Sequence, residues 1–185
     1  MNHKEQLGDV KLDLGVTPSG HLQLRPWQVG DEPSLMKHGD NYHIWLNVRD
    51  RFPHPYTIQD AQLWVQVADK DPTALNLAIV LNEEVVGAVG VVFKDDVYHR
   101  TAEIGYWLGE EYWNRGLATK VVRALSDYVF ATTNICRMYA GIFDYNTPSG
   151  RVLEKAGYHY EARLRNCVTK EGRTVDELIY ARIKE

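Results

Sequence analysis

Cysteine is nearly absent. The 185-residue chain has two, Cys136 and Cys167, far apart and in no C-x-x-C pair. That excludes a disulfide framework, argues against structural zinc and points to a reducing cytosol. No H-E-x-x-H occurs, so no metal is expected. There is no basic block, and the net charge is −4. Nucleic acid is therefore not expected as a primary ligand, and a cationic substrate such as an amine is mildly favoured. The longest apolar run, Val85 to Phe93, is too short to span a bilayer. The polar start MNHKEQLGDVKLDLG lacks a signal-peptide core. A cytoplasmic protein with no membrane partner is the expectation. Two phosphate-binding fingerprints are missing as well. Lys120 is followed by Val121 and has no Gly directly before it, so there is no Walker A loop, and no G-x-G-x-x-G occurs.

What is present has a globular balance, with 44% hydrophobic and 25% charged residues. The expected organisation is a loose N-terminal arm over 1–20, with a short strand around Val10–Leu14, and one domain over 21–185. The chain is organised around TAEIGYWLGEEYWNRGLATKVVRALSDYVF, residues 101–130. Ala102, Ile104, Tyr106 and Leu108 alternate with Glu103, Gly105, Trp107 and Gly109, the period of a strand. Leu117, Val121, Leu125 and Val129 then recur every four residues, a helix with one buried face. The turn between them, Trp113 to Thr119, feeds a helix N-terminus where N–H groups lack partners and the dipole is positive. Gly116 permits close approach and Arg115 adds charge, so a phosphate or pyrophosphate suits the place. The same pattern also serves plain packing units.

Around this unit the chain reads as a strand at 21–26, a short helix capped by Gly30 or Asp31, and a mixed segment at 41–50. A proline-fixed loop, RFPHPY, follows. Thr57 and Asp60 then form a capping box ahead of a helix over Ala61–Ala68. A hairpin covers 74–82 and 84–94. Arg137–Phe143 is a strand parallel to the central one. Thr147 caps a helix that ends at Gly157. Two last strands flank a hairpin tip at 170–173. The order β-αα-βββ-α-β-α-ββ gives an α/β fold.

Trp113-Asn114-Arg115-Gly116-Leu117-Ala118 resembles the Q/R-x-x-G-x-G/A acetyl-coenzyme A loop of the GNAT N-acetyltransferase superfamily, with Trp113 in the first position. AEIGYWLG, YWNRGLAT and NVRDRFPHPYTIQDAQLW are similar to its Rim-type branch, the ribosomal-protein N-terminal acetyltransferases. The resemblance covers roughly 21–183. It implies a mixed, mostly antiparallel sheet of six to seven strands with a central splay, flanked by four helices. It implies acetyl-coenzyme A as co-substrate, held by Asn114, Arg115, Gly116, Leu117, Ala118 and Thr119, by the strand backbone at Trp107 and Leu108, and by Asn146. It implies transfer of the acetyl group to a primary amine by direct attack, the amine being a protein N-terminus or a small molecule. Ser149 matches a serine placed near the thioester sulfur. The position where many members carry an acidic Tyr holds Leu153, so that role does not transfer. Glu103 is the expected base, with Asp144 and Tyr145 behind it. His54, Tyr56 and Tyr145 are expected substrate contacts. A non-catalytic acyl-coenzyme A sensor, or a protein binding another nucleotide, would share the loop. Exposed strand ends leave room for a homodimer.

Overall fold

The computed structural model describes Lys4, Leu7 and residues 9–184. Its strands are β1 (Leu12–Thr17), β2 (Gly20–Pro26), β3 (Ala74–Leu81), β4 (Glu84–Phe93), β5 (Thr101–Leu108), β6 (Arg137–Phe143), β7 (His159–Lys170) and β8 (Arg173–Ile183). The helices are α1 (Glu32–Gly39), α2 (Tyr42–Trp45), α3 (Ile58–Val67), α4 (Leu117–Thr132) and α5 (Thr147–Lys155). One eight-stranded sheet runs in the order β1-β2-β3-β4-β5-β6-β8-β7. Only β5 and β6, joined through α4, pair in parallel; every other neighbour is antiparallel.

Each face of the sheet has its own cover. On one, α4 buries Leu117, Val121, Leu125 and Val129 to 2% exposure or less. Each such side chain contributes roughly 1.5–3 kcal/mol. Two polar groups inside this core satisfy one another: Ser126 Oγ lies 2.7 Å from the Tyr158 hydroxyl and donates or accepts there, and it also reaches the Val122 carbonyl at 2.7 Å. On the other face Leu35, Tyr56 and Ala61 pack with Trp27, Phe52, Trp64 and Trp107. The Thr57–Asp60 capping box forms as expected and starts α3. At the β3–β4 turn Asn82 and Glu83 both take positive φ, 48° and 72°, the backbone of a type I′ hairpin.

The sheet and helices exceed the expected counts by small additions. Part of the expected arm lies outside the described residues, but Leu12–Thr17 pairs with β2 as an edge strand. The mixed segment at 41–50 supplies the one-turn α2, capped by Asn41. Asp31 is the N-cap of α1 but makes no side-chain cap bond, because Arg25 and the Gln28 N–H claim its carboxylate. Asn146, not Thr147, caps α5, accepting from the Ser149 N–H. Among the described residues no helix is long and apolar enough to cross a membrane.

Gly87 sits where β4 meets β5, and a Cβ there would come within 2.4 Å of the Trp107 carbonyl oxygen. Backbone cannot swing aside as a side-chain end can. Gly87→Ala should therefore destabilise by about 1–3 kcal/mol. Thermal unfolding reads this as a drop of roughly 2–4 °C per kcal/mol.

Candidate active site at the splayed strands

The two parallel strands pair only from Thr101↔Arg137 to Glu103↔Tyr139. On its outer edge β5 stays paired with β4 as far as Leu108, and β6 stays paired with β8 as far as Phe143. Residues 104–108 and 140–143 therefore have a strand partner on one side only. Their free edges face each other across a gap in the middle of the sheet. The Leu108 carbonyl takes a 2.6 Å hydrogen bond from the Trp113 indole, which gives the residue at the loop's first position a structural task.

The loop after β5 ends at the start of α4. Asn114 and Gly116 adopt φ of 60° and 76°. Gly116 is the N-cap and supplies no side chain, so the first N–H groups of α4 have no side-chain cap. They sit at the positive end of the helix dipole. Beside them runs an open groove of about 540 Å³, lined by Gly116, Thr119, Lys120 and Arg123 with Leu14. Arg115 turns away, donating to the Glu111 carbonyl at 2.6 Å and lying 5.4 Å over the Tyr112 ring. Positive charge in the groove comes instead from Lys120 and Arg123, with the Asp127 carboxylate beside them.

Across the gap, Ser149 at the first turn of α5 meets Tyr106 from β5, with 2.7 Å between Ser149 Oγ and the Tyr106 hydroxyl. Burial pushes the Tyr106 hydroxyl well above the usual phenol range, so it stays protonated. Asn146 holds the Ser149 N–H from the cap position. In the sequence Tyr106 reads as one position of an alternating strand, and that alternation holds no hint of its partner. Leu153 is fully buried.

Glu103 faces the helices α1–α3. It accepts from Lys94 at 2.9 Å and from Tyr139 at 3.3 Å, and it pairs with Arg49 from the loop after α2. Burial alone would raise its carboxyl. The Lys94 hydrogen bond and the nearby Arg49 and Lys94 charges, with the Tyr139 hydroxyl, outweigh burial and hold it below the usual carboxylate range. Trp107 meets Phe52 edge to face at 5.6 Å, and Phe52 lies 4.7 Å from Tyr56. Tyr56 itself is 5% exposed, beneath this loop rather than open to a substrate. His54 stacks on Trp45 at 5.5 Å, and the Tyr145 hydroxyl donates to the Leu46 carbonyl at 2.7 Å. The tip of the β7–β8 hairpin closes over the same loop. Lys170 donates to Asp50 at 2.6 Å and to the Val48 carbonyl at 3.0 Å, with its ammonium 3.7 Å from the Trp45 ring centre.

A split parallel pair thus lies beside a helix start without a side-chain cap, geometry that suits an extended ligand carrying phosphates. The chain belongs to the GNAT acetyltransferase family: residues 21–159 match the model of the acetyltransferase (GNAT) domain. It is an acyltransferase whose acetyl donor is acetyl-coenzyme A. It is 34% identical over 171 residues to the uncharacterized N-acetyltransferase p20 of Bacillus licheniformis, covering 88% of this chain and 93% of that one. It is 26% identical over 154 residues to the spermidine N(1)-acetyltransferase of Escherichia coli strain K12, covering 80% and 78%. In fold it resembles Mycobacterium smegmatis RimJ, solved with a coenzyme A disulfide, at a TM-score of 0.80 and 23% identity, with 91% and 84% covered.

Because the folded state holds Glu103 below its unfolded value, its contribution is present above that value and lost as pH falls through the lower folded one. Glu103→Gln should cost about 1–3 kcal/mol at pH 7, through a half-buried Lys94 left without its anion. The gap between wild type and variant in melting temperature should shrink as pH drops below about 4.3.

Proposed function

We propose that the chain transfers an acetyl group from acetyl-coenzyme A to a primary amine by direct attack in a ternary complex. The observation that carries this is the gap between β5 and β6, with a hydroxyl pair on one side and a carboxylate cluster on the other. The N–H groups of 116–119 and the turn at Asn114 suit the pyrophosphate, with Lys120 and Arg123 in the adjoining groove. The free edge of 104–108, Trp107 and Leu108 included, suits an extended arm that pairs as a strand would. When bound, acetyl-coenzyme A supplies a thioester carbon for attack.

The remaining needs fall to side chains. The Ser149 and Tyr106 hydroxyls, 2.7 Å apart beside the gap, donate the proton to the departing sulfur. The acceptor reaches the gap from the side of Arg49, His54 and Tyr145. Tyr56 supports that wall from beneath, through Phe52. An alkylammonium is common to spermidine and to a protein N-terminus, and either is consistent with a chain of net charge −4. A non-catalytic sensor would have no use for the Tyr106–Ser149 pair, which weighs against that reading.

Acetyl-coenzyme A at about 100 times its dissociation constant should stabilise the protein by roughly 2.7 kcal/mol. ATP and NAD should leave the melting temperature unmoved. A shift with ATP or NAD but none with acetyl-coenzyme A would defeat the assignment. Ser149→Ala and Tyr106→Phe should each lower kcat on the order of 10²-fold while keeping the acetyl-coenzyme A shift. Unchanged kcat in both would return the pair to a packing role.

A further inference from the structure

A second carboxylate lies at the same gap. Glu177 on β8 is half-buried and stands opposite Phe143 of β6. Opposed residues of an antiparallel pair share one face. Glu177 therefore shares the face of Phe143, Gly141 and Tyr139, and the Tyr139 hydroxyl on that face reaches Glu103. The Glu177 side chain lies over Gly141, where an added Cβ would come within 2.3 Å of its Oε1. Gly141 belongs to the stretch of β6 that has no partner toward β5. The missing side chain at 141 is what lets the carboxylate reach across the strand toward the gap.

Glu177 differs from the acids around it. Asp176 and Asp144 pair with Arg163, Asp50 with Lys170, Glu161 with Arg137, and Glu103 with Arg49 and Lys94. Among the described residues the Glu177 carboxylate has no hydrogen bond or ion pair, and neither of its oxygens is sealed from solvent. A half-buried carboxylate with solvent but no protein donor beside it is open to an arriving cation. The charged groups that face it are Arg49 from the acceptor loop and Glu103 from β5; its opposite residue on β7 is the uncharged Leu164.

We propose that Glu177 receives the ammonium group of the acceptor and takes its proton, while Glu103 stays an anion that anchors the acceptor loop through Arg49. This rests on the amine-acetylation reading above. The amine arrives as R–NH3⁺, and one proton passes to the Glu177 carboxylate and then to solvent. The freed lone pair forms the N–C bond to the acyl carbon, and the C–S bond breaks with its electron pair on sulfur. A second proton leaves the new amide nitrogen, and the sulfur gains one at the Tyr106–Ser149 pair. The net products are amide, thiol and one H⁺. The electrostatics agree with this division. Burial raises the Glu177 carboxyl, Arg49 pulls part of that back and the Glu103 charge adds to the rise, whereas Glu103 is held low. Neighbouring carboxyls driven apart in this way divide into a fixed anion and a proton acceptor.

The test begins with thiol release by wild type, using spermidine and a tripeptide with a free N-terminus as acceptors. Glu177→Gln should lower kcat/KM for the amine by about 10²–10⁴-fold at pH 7. The loss should narrow at alkaline pH as free amine accumulates. Its thermal shift with acetyl-coenzyme A should be unchanged. Independently of turnover, carbon-13 NMR of the ligand-free protein should show one glutamate carboxyl titrating above the ordinary range, absent in Glu177→Gln. Gly141→Ala, which displaces the carboxylate with Glu177 intact, should reproduce the activity loss and carries the test if Glu177→Gln does not fold. Glu177→Gln within threefold of wild type, with the same pH profile, overturns the assignment of Glu177 and leaves amine acetylation standing. Wild type that binds acetyl-coenzyme A but acetylates neither probe overturns both.

Discussion

The gap between β5 and β6 is the constraint on which the rest depends. A buried sheet edge with unpaired N–H and C=O groups is unfavourable, so a fold that opens one at its centre must satisfy those groups some other way. Here the compensation is partial. The Trp113 indole takes the Leu108 carbonyl, and the Phe143 carbonyl accepts from the Asn146 N–H. The outer edges of both strands remain paired along their length, so the opening does not unravel the sheet. What is left uncapped runs straight into the equally uncapped start of α4. An extended ligand with phosphates at one end, as proposed for acetyl-coenzyme A, would satisfy both deficits together.

The opening also separates the chemistry onto two faces. Hydroxyl groups of Tyr106 and Ser149 come from the face covered by α4 and α5. Carboxylates and their cations come from the face covered by α1–α3. The hydroxyl pair and the charged cluster thus lie on opposite faces of the sheet. The same separation explains why so polar a cluster as Glu103, Lys94, Arg49 and Tyr139 sits against a sheet centre. It ties the loop after α2 to the strand from which the opening begins.

Elements with a local cause were legible in the sequence. The four-residue stripe of α4, the Thr57–Asp60 box, the hairpin between β3 and β4 and the short β6 depend on neighbours in sequence. The turn at 113–119 was legible for the same reason: a glycine and a helix start lie together in the chain. The missed features depend on partners far away. Tyr106 acquires a role only when α5 brings Ser149 beside it, and Glu177 only when β8 lies against Gly141. Asp31 reads as a capping side chain until Arg25 claims it. The edge strand expected around Val10–Leu14 was legible too; its pairing with β2 carries it on to Thr17. Arg115 drew attention as the charged residue nearest the turn, yet its length lets it fold back on Glu111. Lys120 and Arg123, one and two helical turns on, reach the groove instead.

A second set of long-range contacts lies farther out, at the β7–β8 tip. Lys170 is 3% exposed at its side chain, held between the Trp45 ring, Asp50 and the Val48 carbonyl, and the neighbouring Glu171 accepts from the Tyr42 hydroxyl at 2.7 Å. These contacts join the β7–β8 hairpin tip to α2 and to the loop that carries Arg49. A buried ammonium with so full a set of partners is expensive to release, because breaking the pair strands a charge. The wall over the gap is therefore fixed by a long-range clamp, not left as a free loop. The clamp touches neither the hydroxyl pair nor the helix start. The fold thus leaves free backbone at its centre, where side-chain identity matters least, and closes its rim with a side-chain clamp.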